Sequence, residues 1–181
     1  MSDKTHISRA WAMVSADTFD SIPIRNFVQK YLRSSKISVD PFARNKTWAT
    51  HTNDINPDTL AEYHLDAREF LRQIINQGIR ADLVICDPPY SQSQVSRSYE
   101  NAGREYKPFG EDNNAVLYRE VRTLLDDILE PNGVALNFGW NSSGFGEKRG
   151  YKIEEILLVC HGGAHNDTIC MAERRNQFRL L

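Results

Sequence analysis

Cysteine is scarce in this chain. Cys86, Cys160 and Cys170 are the only three, they lie far apart, and no pair has the short spacing of zinc ligands. An odd number of thiols in apolar surroundings argues against a disulfide framework and for reduced core residues of a cytoplasmic protein. No His or Cys cluster suggests a metal centre, so none is expected. Long apolar runs are missing too: no segment approaches the ~18 residues of a membrane span, so no membrane partner is expected. The opening Met1-Ser2-Asp3-Lys4-Thr5-His6 lacks the apolar stretch of a signal peptide. An excess of basic charge is also absent, with 22 Lys and Arg against 24 Asp and Glu. That balance counts mildly against a broad electrostatic grip on a duplex, and it leaves room for a small footprint around one unpaired or extruded base. Repeats and low-complexity tracts do not occur. What remains is an ordinary globular composition at the length of one domain.

Against that background one stretch stands out: Asp82-Leu83-Val84-Ile85-Cys86-Asp87-Pro88-Pro89-Tyr90. A short apolar run closed by two prolines reads as a buried parallel strand stopped at its carboxyl end. Neither proline donates a ladder hydrogen bond and each fixes its own φ, so the backbone past Asp87 is stiff and extended. The Asp87 carboxylate, the Pro88 carbonyl and the Tyr90 ring are thereby aimed at the crevice where open α/β sheets bind ligands. Fixed acceptors beside an aromatic plate suit a flat, amino-bearing ring. A simple turn is the alternative for the four residues alone.

The rest of the chain alternates strands and helices. Residues 1–20 form a lightly structured lead, and 21–181 one domain. A helix starts at Ser21, with Ile22, Ile24, Phe27, Val28, Tyr31 and Leu32 on one face and Pro23 in its first turn. Strands are expected over 37–42, 48–54 and 64–65, with a short helix over 57–63. A helix over 68–76 stops at Gly78. After the strand over 82–87, residues 91–113 form a polar, mobile loop. A periodic helix over 115–129 ends at Pro131-Asn132-Gly133, followed by strands over 134–140, 151–160 and 168–173. Three acids, Asp40, Asp54 and Asp66, fall at the ends of successive strands and so converge on one crevice. Each could equally be a turn former or a helix cap.

Asp87-Pro88-Pro89-Tyr90 resembles the catalytic motif of amino-methyltransferases that use S-adenosylmethionine, in the form typical of adenine-N6 enzymes. The resemblance covers nearly the whole chain from about Ser21. It implies a Rossmann-like seven-stranded class I methyltransferase sheet, mostly parallel with one antiparallel strand and helices on both faces. Asp87, Pro88, Pro89 and Tyr90 would be catalytic: acceptors from Asp87 and the Pro88 carbonyl bond both N–H groups of the amine and favour its pyramidal, nucleophilic form. Tyr90 would stack on the base, a contact of roughly 1–3 kcal/mol in single-strand binders. Asp40-Pro41-Phe42-Ala43 resembles the motif opening the cofactor site, Asp54-Ile55 the acidic motif that binds the ribose hydroxyls, and Asp66-Ala67 the motif whose acid accepts from the cofactor adenine. Asp87 also borders the cofactor. The helix from Ser21 stands where the family touches the methionine end. The glycines that usually continue the first motif are replaced by Arg44-Asn45-Lys46, whose cations can approach the cofactor carboxylate.

In the 91–113 loop Arg97, Arg104 and Lys107 alternate with Tyr99, Tyr106 and Phe109, cations for phosphates and rings for bases. Trp140 borders the same crevice, where it can pack against a base or belong to the core. These features point to an adenine-N6 methyltransferase acting on nucleic acid, on DNA in preference to RNA, with Tyr90, Arg97, Arg104, Lys107 and Trp140 at the substrate. There is no room between the motifs for a recognition domain, so specificity is low or comes from a separate subunit or a homodimer. The compact form resembles stand-alone adenine methyltransferases of phages, which would act in the host cytoplasm. The same chemistry on RNA, and a non-catalytic nucleic-acid-binding subunit with a degenerate cofactor loop, are the alternatives. Methylation of a protein glutamine normally comes with Asn at position 87 and ranks below both.

Overall fold

The computed structural model describes residues 4–163 and 165–176. The first three residues of the expected lead, Ala164 of the final hairpin link and the last five residues of the expected domain lie outside the described residues. Seven strands make one sheet: β1 (His6–Trp11), β2 (Ser38–Asp40), β3 (His51–Thr52), β4 (Ala81–Cys86), β5 (Leu129–Gly139), β6 (Tyr151–Cys160) and β7 (Thr168–Arg175). Four helices accompany them: α1 (Ile22–Leu32), α2 (Ala67–Asn76), α3 (Gln92–Asn101) and α4 (Asn114–Ile128).

The strands lie in the order β1-β6-β7-β5-β4-β2-β3. Every pairing is parallel except those of β7, which runs antiparallel to both β5 and β6. From β2 the chain moves outward to β3, then returns through α2 to β4 on the other side of β2. The strand order therefore reverses between β2 and β4, where an open α/β sheet has its ligand crevice.

Alternation along β4 shows why its sequence is apolar from Leu83 to Cys86. Leu83 and Ile85 pack with Phe27, Val28 and Phe138 on the α1 face, while Val84 and Cys86 pack with Phe70, Leu71, Val121 and Leu125 under α2 and α4. Helices thus cover both faces. Pro23 sits in the first turn of α1, Asp66 caps α2 by accepting from the Arg68 N–H at 2.9 Å, and Gly78, at φ 71, ends the chain's departure from α2.

Four expectations are corrected. Residues 1–20 are no mere lead: β1 adds to the sheet edge beside β6, and a 3-10 helix follows over Thr18–Asp20 with Phe19 buried. A strand at an edge buries little and carries no strong apolar period, so the pattern misses it. The expected strand over 64–65 shrinks to a single bridge, Asn53 to Tyr63, and the expected helix over 57–63 forms turns. Finally, the expected loop over 91–113 contains α3, started by the Ser91 hydroxyl accepting from the Gln94 N–H at 3.3 Å. Its residues are polar because only Val95 and Tyr99 are buried.

Beyond β5, the turn at Phe145 is anchored from β7. The buried Glu173 carboxylate accepts from the Phe145 N–H at 2.7 Å and the Gly146 N–H at 3.0 Å. A Cβ on Gly144, which has φ +38, would collide with that carboxylate. Gly144→Ala is therefore expected to cost about 2–4 kcal/mol in stability. Urea denaturation of the two proteins checks this.

Candidate active site

The reversal of strand order brings three carboxyl ends together. Asp40 closes β2 and is buried, its Oδ1 accepting from the Phe42 N–H at 3.0 Å. Asn53, one residue past β3, is fully buried and binds three segments to one another. Its amide donates to the Pro41 carbonyl at 3.1 Å and the Leu65 carbonyl at 3.0 Å, and accepts from the Leu65 N–H at 3.0 Å. That amide sets the spacing of the loops bearing Asp40, Asp54 and Asp66. Sequence reading passed over it, although an Asn directly before a candidate ligand acid was a usable signal.

A cavity of about 440 Å³ opens over these ends, within the usual range for small-molecule sites. Of the expected residues, Pro41, Phe42, Asp54, Ile55, Asp66 and Ala67 form one part of its wall. Asp87, Pro88, Pro89, Tyr90 and Arg97 form another. Asp40 and Ala43 lie beneath the wall as buried supports. Trp140 sits outside it, 5.6 Å from the Tyr90 ring in a T-shaped contact. Arg104 and Lys107 are elsewhere, on a separate depression of about 220 Å³, paired with Glu69 at 3.2 Å and Glu111 at 3.5 Å. The helical course of α3 separates them from Arg97. Ala16, Thr18, Gln94, Ser98, Tyr99 and Leu117 also line the cavity.

Asp87 is the centre of the second part of the wall. The Tyr90 hydroxyl donates a short bond to its Oδ1, and the Thr18 hydroxyl bonds the carboxylate from the amino-terminal segment. Burial pushes the Asp87 carboxyl up to about 6; the two hydroxyls and Arg44 oppose that rise, and the charge of Asp17 adds to it. The Tyr90 N–H donates to Gln94 Oε1 at 2.6 Å, so α3 fixes the motif's last residue. Burial also lifts the Asp40 carboxyl well above its ordinary value, with Asp87, Asp54 and Asp17 adding to the rise. Asp54 is raised by burial too, against N–H bonds from Asn56 (2.9 Å) and Arg44. Burial is the largest cause of the rise at Asp40, Asp54 and Asp87, and at Asp40 the neighbouring acids add to it.

Asp66 differs. Burial would raise its carboxyl, but the Arg68 guanidinium and the Tyr99 hydroxyl outweigh this and hold it below the carboxylate range. Its Oδ1 accepts from the Arg68 N–H and Nε, both at 2.9 Å; its Oδ2 accepts from Arg68 Nη2 at 3.0 Å and the Tyr99 hydroxyl at 2.5 Å. Four donors fill a carboxylate. Arg68 extends the network to Asp112 at 2.9 Å and to the Glu111 carbonyl at 2.8 Å, fastening the segment after α3 to α2.

The donor set fits a nucleoside bearing a charged tail. Asp54 can receive a ribose diol, Phe42, Ile55 and Leu117 offer apolar surface, and Asp87 marks the far end. Only the adenine contact expected of the Asp66 carboxylate meets a saturated group.

No family model matches the sequence, and no curated protein matches it. Solved structures share the fold at low identity. TrmN from Thermus thermophilus aligns with a TM-score of 0.53 at 12% identity, over 86% of this chain and 49% of its own. N-methyltransferase NodS from Bradyrhizobium japonicum WM9 aligns at 0.50 and 9% identity, over 90% and 99%. A SAM-dependent methyltransferase from Agrobacterium tumefaciens aligns at 0.50 and 12% identity, over 87% and 61%. The chain spans about half the length of TrmN. The likeness is one of fold, the Rossmann-like sheet of class I methyltransferases.

Because the folded Asp87 carboxyl titrates near 6 rather than 3.8, the fold favours its protonated form. The stability this contributes is present at low pH and lost as pH rises through 6. Asp87→Asn is therefore expected to stabilise the chain at pH 7 by about 1–3 kcal/mol, with the gain vanishing below pH ~4. Denaturation curves across pH check this.

Proposed function

We propose that this chain transfers a methyl group from S-adenosylmethionine to the exocyclic N6 amine of adenine in nucleic acid, on DNA in preference to RNA. The carrying observation is the Asp87 carboxylate on the cavity wall at the reversal of strand order, rigidly followed by Pro88, Pro89 and Tyr90. The shared fold with methyltransferases supports the transfer, and the motif supports the amine.

S-adenosylmethionine, when bound, supplies the electrophilic methyl. Asp54 and Ile55 would hold its ribose and adenine side, with Phe42 and Ala67 lining the path between. The chain's own work is on the amine. The lone pair of an aromatic amine is delocalised into its ring, so it must be pyramidalised before it attacks. Asp87 and the Pro88 carbonyl accept its two N–H groups, and the acceptors cost no reorganisation because neighbouring groups already hold them. Tyr90 keeps its phenol proton, since burial lifts it well above its ordinary range, and it donates that proton to Asp87 Oδ1. The carboxylate is thus held in one orientation with its remaining lone pairs for the amine. Arg97, on the same wall, meets the incoming phosphate backbone.

The glycine-free first motif does not favour the non-catalytic alternative as strongly as its sequence suggests. Arg44 itself takes a left-handed conformation, at φ 51, so the loop makes the turn without glycine.

Incubation with labelled cofactor and separate DNA and RNA pools, followed by nucleoside analysis, tests the reading. Label is expected in N6-methyladenine from DNA; label in RNA alone, or in no nucleoside, overturns it. Asp87→Ala is expected to lower transfer by about 10²-fold or more while retaining the fold. The wild-type rate should rise with pH and level off above about 6, as Asp87 ionises. Tyr90→Phe removes a bond that lowers that value, so its acid limb should move to higher pH.

A further inference from the structure

The loop between Asp40 and Asp54 makes its left-handed turn at a residue that disfavours it. Among the described residues only Arg44 and Asn132 have positive φ without being glycine, and Asn132 is the residue type that tolerates this best. An arginine in that conformation is sterically costly, and such outliers persist where the side chain has a task. Asn45, next in the chain, would make the turn more cheaply.

The Arg44 side chain points to that task. It lines the cavity with Ala16, Asp54 and Asp87. Its Nη1 donates to the Ala16 carbonyl at 2.5 Å, so the guanidinium reaches from the loop to the amino-terminal segment that also carries Thr18. One such bond leaves most of a five-donor fork free. The other cations are differently placed. Lys46 is spent on Asp20 at 2.6 Å and Asp17 at 3.9 Å, and lies over the Trp48 ring. Arg97 comes from α3, past Tyr90. The cavity wall is otherwise acidic, with Asp54, Asp58, Asp66 and Asp87.

A molecule with its sugar at Asp54 and its reacting group at Asp87 has Arg44 and Ala16 on the same cavity wall to meet its remaining end. If that end is an amino acid, its carboxylate enters an acid-rich cavity and needs a fixed positive partner there. We propose that Arg44 is that partner: its left-handed backbone aims the guanidinium to take the cofactor's amino-acid carboxylate as a forked ion pair, replacing the close backbone approach a glycine loop would provide. The inference rests on the methyltransferase reading and deepens it.

Calorimetric titration with two ligands separates them. S-adenosylhomocysteine carries the amino-acid end; 5′-methylthioadenosine keeps the nucleoside and sulfur without it. The wild type is expected to bind both. Arg44→Gly should weaken S-adenosylhomocysteine by about ten-fold or more and 5′-methylthioadenosine by less than about two-fold. Arg44→Asn, which also tolerates the left-handed turn, should reproduce that loss, and Arg44→Lys should recover part of it. Unchanged S-adenosylhomocysteine affinity, or equal loss of both ligands in the Asn variant, overturns the assignment while leaving the methyltransferase reading intact. Failure of the wild type to bind either ligand overturns both.

Discussion

The geometry of this protein depends on β4 being buried on both faces between two parallel neighbours. From Leu83 to Cys86 that position is filled by apolar and thiol side chains, and the strand ends where Asp87 begins the polar motif. Register does the rest. Leu83 and Val84 pair with Ser38 and Val39 on one side and with Val134 and Ala135 on the other, so Asp40 and Asp87 emerge at the same end of the sheet. The Pro88-Pro89 step then denies the chain any ladder bond by which the strand could be prolonged. The placement of the Asp87 carboxylate on the cavity wall follows from that forced exit.

The exit has an electrostatic consequence. Burial at the strand ends raises Asp40, Asp54 and Asp87, and at Asp40 the charges of Asp87 and Asp54 raise the carboxyl further. Asp87 therefore sits near the middle of the pH range in which it must remain an acceptor, held there by two hydroxyl donors and a nearby guanidinium. The arrangement opposes stability at neutral pH, a common feature of sites whose charges are set for a ligand rather than for the fold. It also places positive charge at a premium inside the cavity, which gives the strained Arg44 its significance. A nearly neutral chain with an acid-lined crevice offers no broad basic surface around the cavity.

How much of this could be read from the residues depends on how strongly each segment is buried. The apolar run of β4, the face of α4 and the cap and stop of α2 rest on burial and capping, which leave plain patterns, and the sheet with one antiparallel strand followed from them. β1 lies at an edge and α3 buries two side chains, so neither left a period strong enough to read. The site divides the same way. The motif residues on strand ends reach one cavity because backbone topology dictates it. Arg104 and Lys107 do not, because their grouping with Arg97 assumed an irregular loop where a helix turns them elsewhere. Thr18 and Ala16 arrive from a segment whose sequence carries no signal for the site at all.

Asp66 shows the limit of transferring a role by motif. Its position after the bridge at Tyr63 is the expected one, yet its carboxylate is consumed by Arg68, two residues on, and by Tyr99 from α3. Those bonds are internally complete: the guanidinium is itself divided among Asp66, Asp112 and the Glu111 carbonyl. A ligand amine can reach Asp66 only by displacing the Tyr99 hydroxyl, which would leave a buried phenol unpaired unless it turned to the ligand as well. Under the proposed reading, adenine at this end would rest on apolar contact with Ile55 and Leu117 and on rearrangement of Tyr99, rather than on a waiting acceptor. The buried pair would thus act chiefly to fix the segment after α3 against α2, so the wall of the cavity formed by α3 stays in register with the wall formed by β4.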